Sequence, residues 1–166
     1  LELLLREPAP IACIRTLDRL TGVSFLPFDL HPDLGRYALL KRIGRASVWF
    51  DTHFPHKRPL DVWLVYLMGL LCRVPAGQVE EFLDRFGFRR GDRLRINSIR
   101  QPVPERLKKA RSSSAVYKIL EPLSFEAIIY FYALTPDRSV RARLTHFLDT
   151  LNDIRLTIGG RDLQES

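Results

Sequence analysis

The sequence is poor in cysteine. Cys13 and Cys72 are its only two, they lie far apart among 166 residues, and both sit in apolar surroundings. That excludes a disulfide scaffold and reads as two buried free thiols in a cytoplasmic protein. Long hydrophobic runs are also missing. The most extended, residues 62–72, falls well short of the roughly 18 apolar residues that span a bilayer. No basic leader precedes the short apolar start at residues 1–5, so no signal peptide is visible. Catalytic signatures are absent as well: there is no P-loop, Gly-x-Gly-x-x-Gly, Gly-x-Ser-x-Gly, His-Glu-x-x-His or Cys-x-x-Cys. An Asp-x-Asp strand of the kind that holds two metals for phosphoryl transfer is not found either.

What is present is basic charge, and it is local. The net charge is +7, and residues 89–111 carry that whole excess. Arg89, Arg90, Arg93, Arg95, Arg100, Arg106, Lys108, Lys109 and Arg111 are opposed there only by Asp92 and Glu105. Cations concentrated in one segment point to a polyanionic partner, most plausibly nucleic acid. The arginine bias suits phosphate, whose oxygens match the guanidinium fork. The competing reading is a solvated helix face.

The apolar residues recur at helical spacing nearly throughout, and no alternating run of strand length is convincing. The expected fold class is all-α: a multi-helix body with a smaller helical tail. Pro10 suits a helix start, and Ile11, Ile14, Leu17 and Leu20 follow at intervals of three. Residues 23–32 read as a loop. Asp33 can cap a helix over 34–49, after which the aromatic, His-containing stretch 50–58 reads as a loop. A strongly apolar helix over 60–71 looks like the central core element. Helices over 76–86 and 89–100 follow, the second amphipathic with a basic outer face. A short basic helix covers 105–109. Ser112–Ser114 offer caps for a helix over 115–120, Ser124 for 125–134 and Asp137 for 138–151. A soft boundary near residues 100–113 divides a body, 1–112, from a tail, 113–166.

Other candidates for chemistry are weak. Asp51, His53 and His56 form the one cluster resembling a metal site, but Pro55 breaks their spacing and further ligands are lacking. The pairs Glu80–Glu81 and Asp149–Asp153 read as surface ion-pair partners. Tyr130, Phe131, Tyr132 and Phe147 read as core. Exposed aromatics in the stretch 49–54 would favour a protein-contact patch. At the end, Gly159–Gly160 followed by Arg161 could hold a phosphate on exposed backbone N–H groups. Both ends look cut: the chain opens on Leu1 inside an apolar stretch and stops just after Asp162 and Leu163. It therefore reads as a piece of a longer protein.

In order and spacing these features resemble one family, the bacterial tRNA nucleotidyltransferases and poly(A) polymerases, which include CCA-adding and A-adding enzymes. Pro59-Leu60-Asp61-Val62-Trp63-Leu64-Val65-Tyr66-Leu67 resembles the family's apolar body helix. Ser113-Ser114-Ala115-Val116-Tyr117-Lys118-Ile119-Leu120, then Pro122-Leu123-Ser124-Phe125-Glu126-Ala127, is similar to its Pro-Ser-Glu-Ile-Tyr-x-Leu-Leu and Leu-x-x-Glu-Ala pattern. Leu151-Asn152-Asp153-Ile154-Arg155 leading to Gly160-Arg161-Asp162-Leu163 looks like its Leu-Arg-x-Val-x-Pro and Gly-Lys/Arg-Asp-Leu. Gly159 departs from the family's usual Thr. The head domain that performs nucleotidyl transfer and the neck that selects the nucleotide have no counterpart in this sequence.

The resemblance implies a non-catalytic body and tail that bind tRNA while a head domain adds nucleotides to its 3′ end. It implies that the parent is a transferase using Mg2+ and ATP or CTP in that head, and that this piece is inactive alone. The phosphate-facing set is expected to be Arg89, Arg90, Arg93, Arg95, Arg100, Lys108, Lys109 and Arg111, with Arg155 and Arg161 second. The rival expectation is a helical interaction or assembly module within a larger protein.

Overall fold

The computed structural model describes residues 1–21 and 32–153. Among these residues there is no strand, and ten α-helices are followed by a 3-10 turn. They are α1 Glu2–Arg6, α2 Pro10–Thr21, α3 Leu34–His53, α4 Val62–Leu71, α5 Ala76–Arg85, α6 Arg90–Ser98, α7 Val103–Lys109, α8 Ser113–Leu120, α9 Phe125–Leu134 and α10 Arg138–Asp149, then Leu151–Asp153. The all-α expectation holds.

The helix starts are set by local chemistry. A backbone N–H has no intrahelical acceptor in the first turn, so a short polar side chain just before it supplies one. Asp33 accepts from the Arg36 N–H at 2.6 Å, Ser112 from Ala115 at 3.2 Å and Ser124 from Ala127 at 3.3 Å. Asp137 accepts from both Ser139 and Val140, at 2.8 and 3.3 Å. Gly87 closes the turn after α5 with φ +62°, a backbone conformation that costs glycine little.

Several boundaries differ from the sequence expectation: α7 and α8 each begin two residues earlier, α6 and α10 each end two residues earlier, and the end of α3 and the start of α4 bear most on the packing. α3 does not stop near Trp49; it runs through Phe50–His53. Nothing in that stretch breaks a helix until Pro55, which disfavours helical backbone in the residue before it. Phe54 accordingly leaves the helical region, with its N–H donating to the Phe50 carbonyl at 2.8 Å. α4 begins at Val62, two residues later than expected. Asp61 precedes it without capping, because its carboxylate is engaged by Arg95 at 2.7 Å.

α4 is apolar all round and buried all round, as its composition requires. Trp63 through Leu71 are all buried, and α1, α3, α6 and α9 pack around them. α10 packs on α7, α8 and α9. The division at 112/113 falls in the turn before α8. α9, on the tail side of it, packs against α3 and α4, and one buried cluster runs from Leu5 to Leu151.

α3 and α4 approach closely where each presents a glycine. A Cβ on Gly69 would meet Ile43 Cδ1 at 2.6 Å and Leu40 Cδ2 at 3.1 Å, and one on Gly44 would meet the Tyr66 hydroxyl at 2.6 Å. Gly69→Val is therefore expected to destabilise the protein by about 1–3 kcal/mol, through overpacking of a filled core. Gly77→Ala in α5, where nothing lies within 4 Å of the new Cβ, is expected to leave stability unchanged or raise it by up to about 1 kcal/mol. Urea unfolding midpoints measure both; equal stability of wild type and Gly69→Val would mean that the α3–α4 packing is not tight.

Candidate nucleic-acid interface

The basic run divides once it is folded. α6 places Ile96 in the core but turns Leu94 outward, 64% exposed. The expected basic outer face is therefore not how this helix sits. Arg93 and Arg95 lie on its flanks, with side chains only 28% and 25% exposed. Arg93 shares the inward side with Ile96 and Asn97, at the three- and four-residue spacing of a helix face. Its guanidinium bridges Glu80 of α5, at 2.7 Å, and Asp84. Asn97 donates to the other Glu80 oxygen at 2.6 Å. The Glu80 that reads as a surface partner is thus a clamp between α5 and α6. Arg95 takes three carboxylates: Asp92 one turn back, Asp61 at 2.7 Å and Glu126 at 3.4 Å.

Glu126 enters the sequence reading within the Leu-x-x-Glu-Ala likeness, and its buried ion pair is what that reading missed. It stands in the first turn of α9, where the helix dipole favours an anion, and it is fully buried. Arg58 meets it with both Nη groups, at 2.7 and 2.8 Å, and the Asp61 backbone N–H donates at 3.1 Å. Burial by itself would raise its pKa. The Arg58 hydrogen bonds, the Asp61 N–H and the Arg58 charge outweigh that and hold it at about 2. One carboxylate thereby fixes the segment before α4, the start of α9 and the flank of α6. Only the presence of Arg58 and Arg95, far off in sequence, distinguishes it from a surface glutamate.

The remaining cations fall into two groups. Arg100 donates to the Val74 carbonyl at 3.0 Å, and Lys108 reaches Asp137 at 3.3 Å. Arg89, Arg90, Lys109 and Arg111 are exposed, and no ion pair or side-chain hydrogen bond holds them among the described residues; Arg106 shares that condition. Arg89 and Arg90 stand at the start of α6, Lys109 and Arg111 at the end of α7. Arg89 also borders a cleft of about 550 Å3 that it shares with Arg6, Trp63 and Asp92. Arg155, Arg161 and the Gly159–Gly160 turn lie outside the described residues.

Other candidates resolve into structure. Phe50 and Phe54 are core residues, and Trp49 is half-buried with its ring stacked on Tyr132 at 4.5 Å, so the stretch 49–54 offers no exposed aromatic patch. His53 meets the Trp49 carbonyl at 2.9 Å, and His56 lies 3.9 Å from Asp153. Among the described residues no group of three His, Cys, Asp or Glu side chains converges as metal ligands would. Cys13 and Cys72 are free thiols, half-buried rather than fully enclosed. No helix among the described residues is long and apolar enough to cross a membrane.

No family model matches the sequence. An A-adding tRNA nucleotidyltransferase of Geobacter sulfurreducens is 28% identical across 99% of this chain, which spans 20% of that relative's length. In fold, the chain is similar to a tRNA-processing enzyme in an apo form, with a TM-score of 0.80 at 18% identity, covering 99% of this chain and 44% of that one. It is also similar to the Thermotoga maritima CCA-adding enzyme complexed with tRNA, with a TM-score of 0.74 at 20% identity, covering 98% of this chain and 40% of that one. The resemblance carried by the sequence motifs is thereby borne out, in sequence by the first protein and in fold by the others.

The depressed pKa of Glu126 sets an acid limit on stability. A carboxyl held below its unfolded value stabilises fully above that value and loses the contribution as pH falls through the folded one. From 4.5 down to about 2, the loss amounts to about 3 kcal/mol at about 1.4 kcal/mol per unit. Chemical unfolding across that window is expected to show the decline, and Glu126→Gln is expected to be destabilised near neutrality with a flatter acid limb. An acid limb identical in Glu126→Gln would show that the carboxylate is not responsible.

Proposed function

Taking as premise the kinship of this chain with the helical body and tail of the tRNA nucleotidyltransferases, we propose that it binds tRNA and positions the 3′ end for nucleotide addition. The addition itself, with Mg2+ and ATP or CTP, belongs in this reading to a head domain outside the sequence. The observation that carries the proposal is the +7 excess confined to residues 89–111, of which Arg89, Arg90, Lys109 and Arg111 remain exposed and uncompensated. Such cations gain by releasing the counterions condensed on a phosphate backbone. They read shape and charge rather than sequence, which suits a partner that must include many tRNAs. Arg93 and Arg95 have a different part in this reading. Their guanidiniums are neutralised by carboxylates, so they hold α6 in place and present little charge to a ligand.

Binding to unmodified tRNA, followed across a salt series with a scrambled hairpin as control, tests this. Tight binding at low salt that weakens steeply with salt and favours the tRNA shape is expected. Reversal of Arg89, Arg90, Lys109 and Arg111 to Glu is expected to weaken binding at least tenfold and to reduce the salt slope by about one for each phosphate no longer neutralised. Arg93→Glu, in contrast, is expected to lower the unfolding midpoint. Unchanged tRNA affinity in the four-fold variant would overturn the assignment of these residues, and absence of binding in the wild type would overturn the function.

A further inference from the structure

A second group of cations lies away from residues 89–111. Arg42, Arg45, Ala46 and Trp49 recur at the three- and four-residue spacing that gathers side chains on one stripe of α3. The stripe faces Tyr132 and Ala133 near the end of α9 and Arg141 in the second turn of α10. Between them is a cleft of about 320 Å3 whose lining includes these three arginines and no carboxylate.

The guanidiniums are held in place. Arg42 Nε donates to the Ala133 carbonyl at 2.8 Å. Arg141 Nε donates to the carbonyls of Thr135 and Tyr132, at 2.9 and 3.2 Å. In both, the Nε–H anchors the group and no Nη atom has a partner among the described residues. Arg45 is exposed and has no partner among them either. Two orientated forks and a third free cation, with no counter-charge beside them, form a cradle for an anion with several acceptor oxygens.

The aromatic rings narrow the choice of ligand. The Arg141 guanidinium lies 5.2 Å from the Tyr132 ring, and Tyr132 stacks on Trp49 at 4.5 Å with the planes 5° apart. Trp49 in turn meets His53 and Phe54, each at 5.4 Å. These faces are covered, so the cleft offers an anion its charge but offers a nucleobase no open ring to stack on. Continuity favours the same partner as the basic run. Lys108 reaches Asp137, which caps the helix that carries Arg141.

We propose that the cleft formed by Arg42, Arg45 and Arg141 is a phosphate subsite whose occupant is a backbone phosphate of the bound RNA. The inference rests on the RNA-binding reading above and extends its footprint from residues 89–111 to α3 and α10.

Arg45 is the residue to change, because it is exposed and holds nothing else in place. In the full-length protein, Arg45→Glu is expected to lower tRNA affinity about tenfold at low salt and to reduce the salt slope by about one. Arg45→Lys is expected to keep most of the affinity, and neither variant is expected to move the unfolding midpoint. Arg111→Glu serves as the parallel variant in the basic run, and inorganic phosphate as the free-ligand probe. Loss of affinity in Arg111→Glu but not in Arg45→Glu would overturn the subsite and leave the RNA-binding reading standing. Absence of tRNA binding in the wild type would overturn both. A rise in unfolding midpoint with inorganic phosphate that Arg45→Glu abolishes, with tRNA affinity unchanged by that substitution, would overturn RNA as the source of the phosphate.

Discussion

A single buried carboxylate ties together the elements on which the basic segment stands. Glu126 has no contact with water, and an ionised group in that position is tolerated only when its lone pairs are met. Arg58 meets them from the segment before α4, the Asp61 amide from the helix entry and Arg95 from α6. Three parts of the chain, far apart in sequence, are therefore registered to one another by hydrogen bonds whose removal would leave charge buried and unpaired. The apolar packing around α4 supplies the bulk of the cohesion. The carboxylate supplies the register, because an apolar contact tolerates a small slide and a two-pronged guanidinium pair does not.

The same network sorts the cations. An arginine that faces a neighbouring helix finds carboxylates there, as Arg93 finds Glu80 and Asp84, and becomes part of the framework. One that stands at a helix end, as Arg89 and Arg111 do, finds none and keeps its field. The basic segment thus contains both scaffold and the charge that the scaffold displays. Arg42 and Arg141 show a third arrangement, in which backbone carbonyls hold the Nε–H and leave the rest of the fork open. Arginine suits all three because its donors point in fixed and different directions.

Much of this architecture is legible from residue patterns. The caps at Asp33, Ser112, Ser124 and Asp137, the stop at Gly87 and the all-round apolarity of α4 are local properties, decided within a turn or two of chain. The end of α3 reads wrongly because aromatic and histidine residues resemble a loop in composition, while the physical stop, Pro55, lies further on. The facing of α6 reads wrongly for a different reason: arginine and apolar residues alternate over Arg93-Leu94-Arg95-Ile96, and either face has a case for turning inward.

Propensity, capping and net charge are carried by neighbours along the chain. The helices, the core that they bury and the confinement of excess charge to residues 89–111 therefore follow from residue order alone. Which of those charges remain available follows from the packing of the helices instead. Arg93, Arg95 and Glu126 are ordinary charged residues until α5, α9 and the segment before α4 are brought against α6. An ion pair depends on separation in space, and partners such as Arg58 and Glu126 have no periodicity in sequence to announce them.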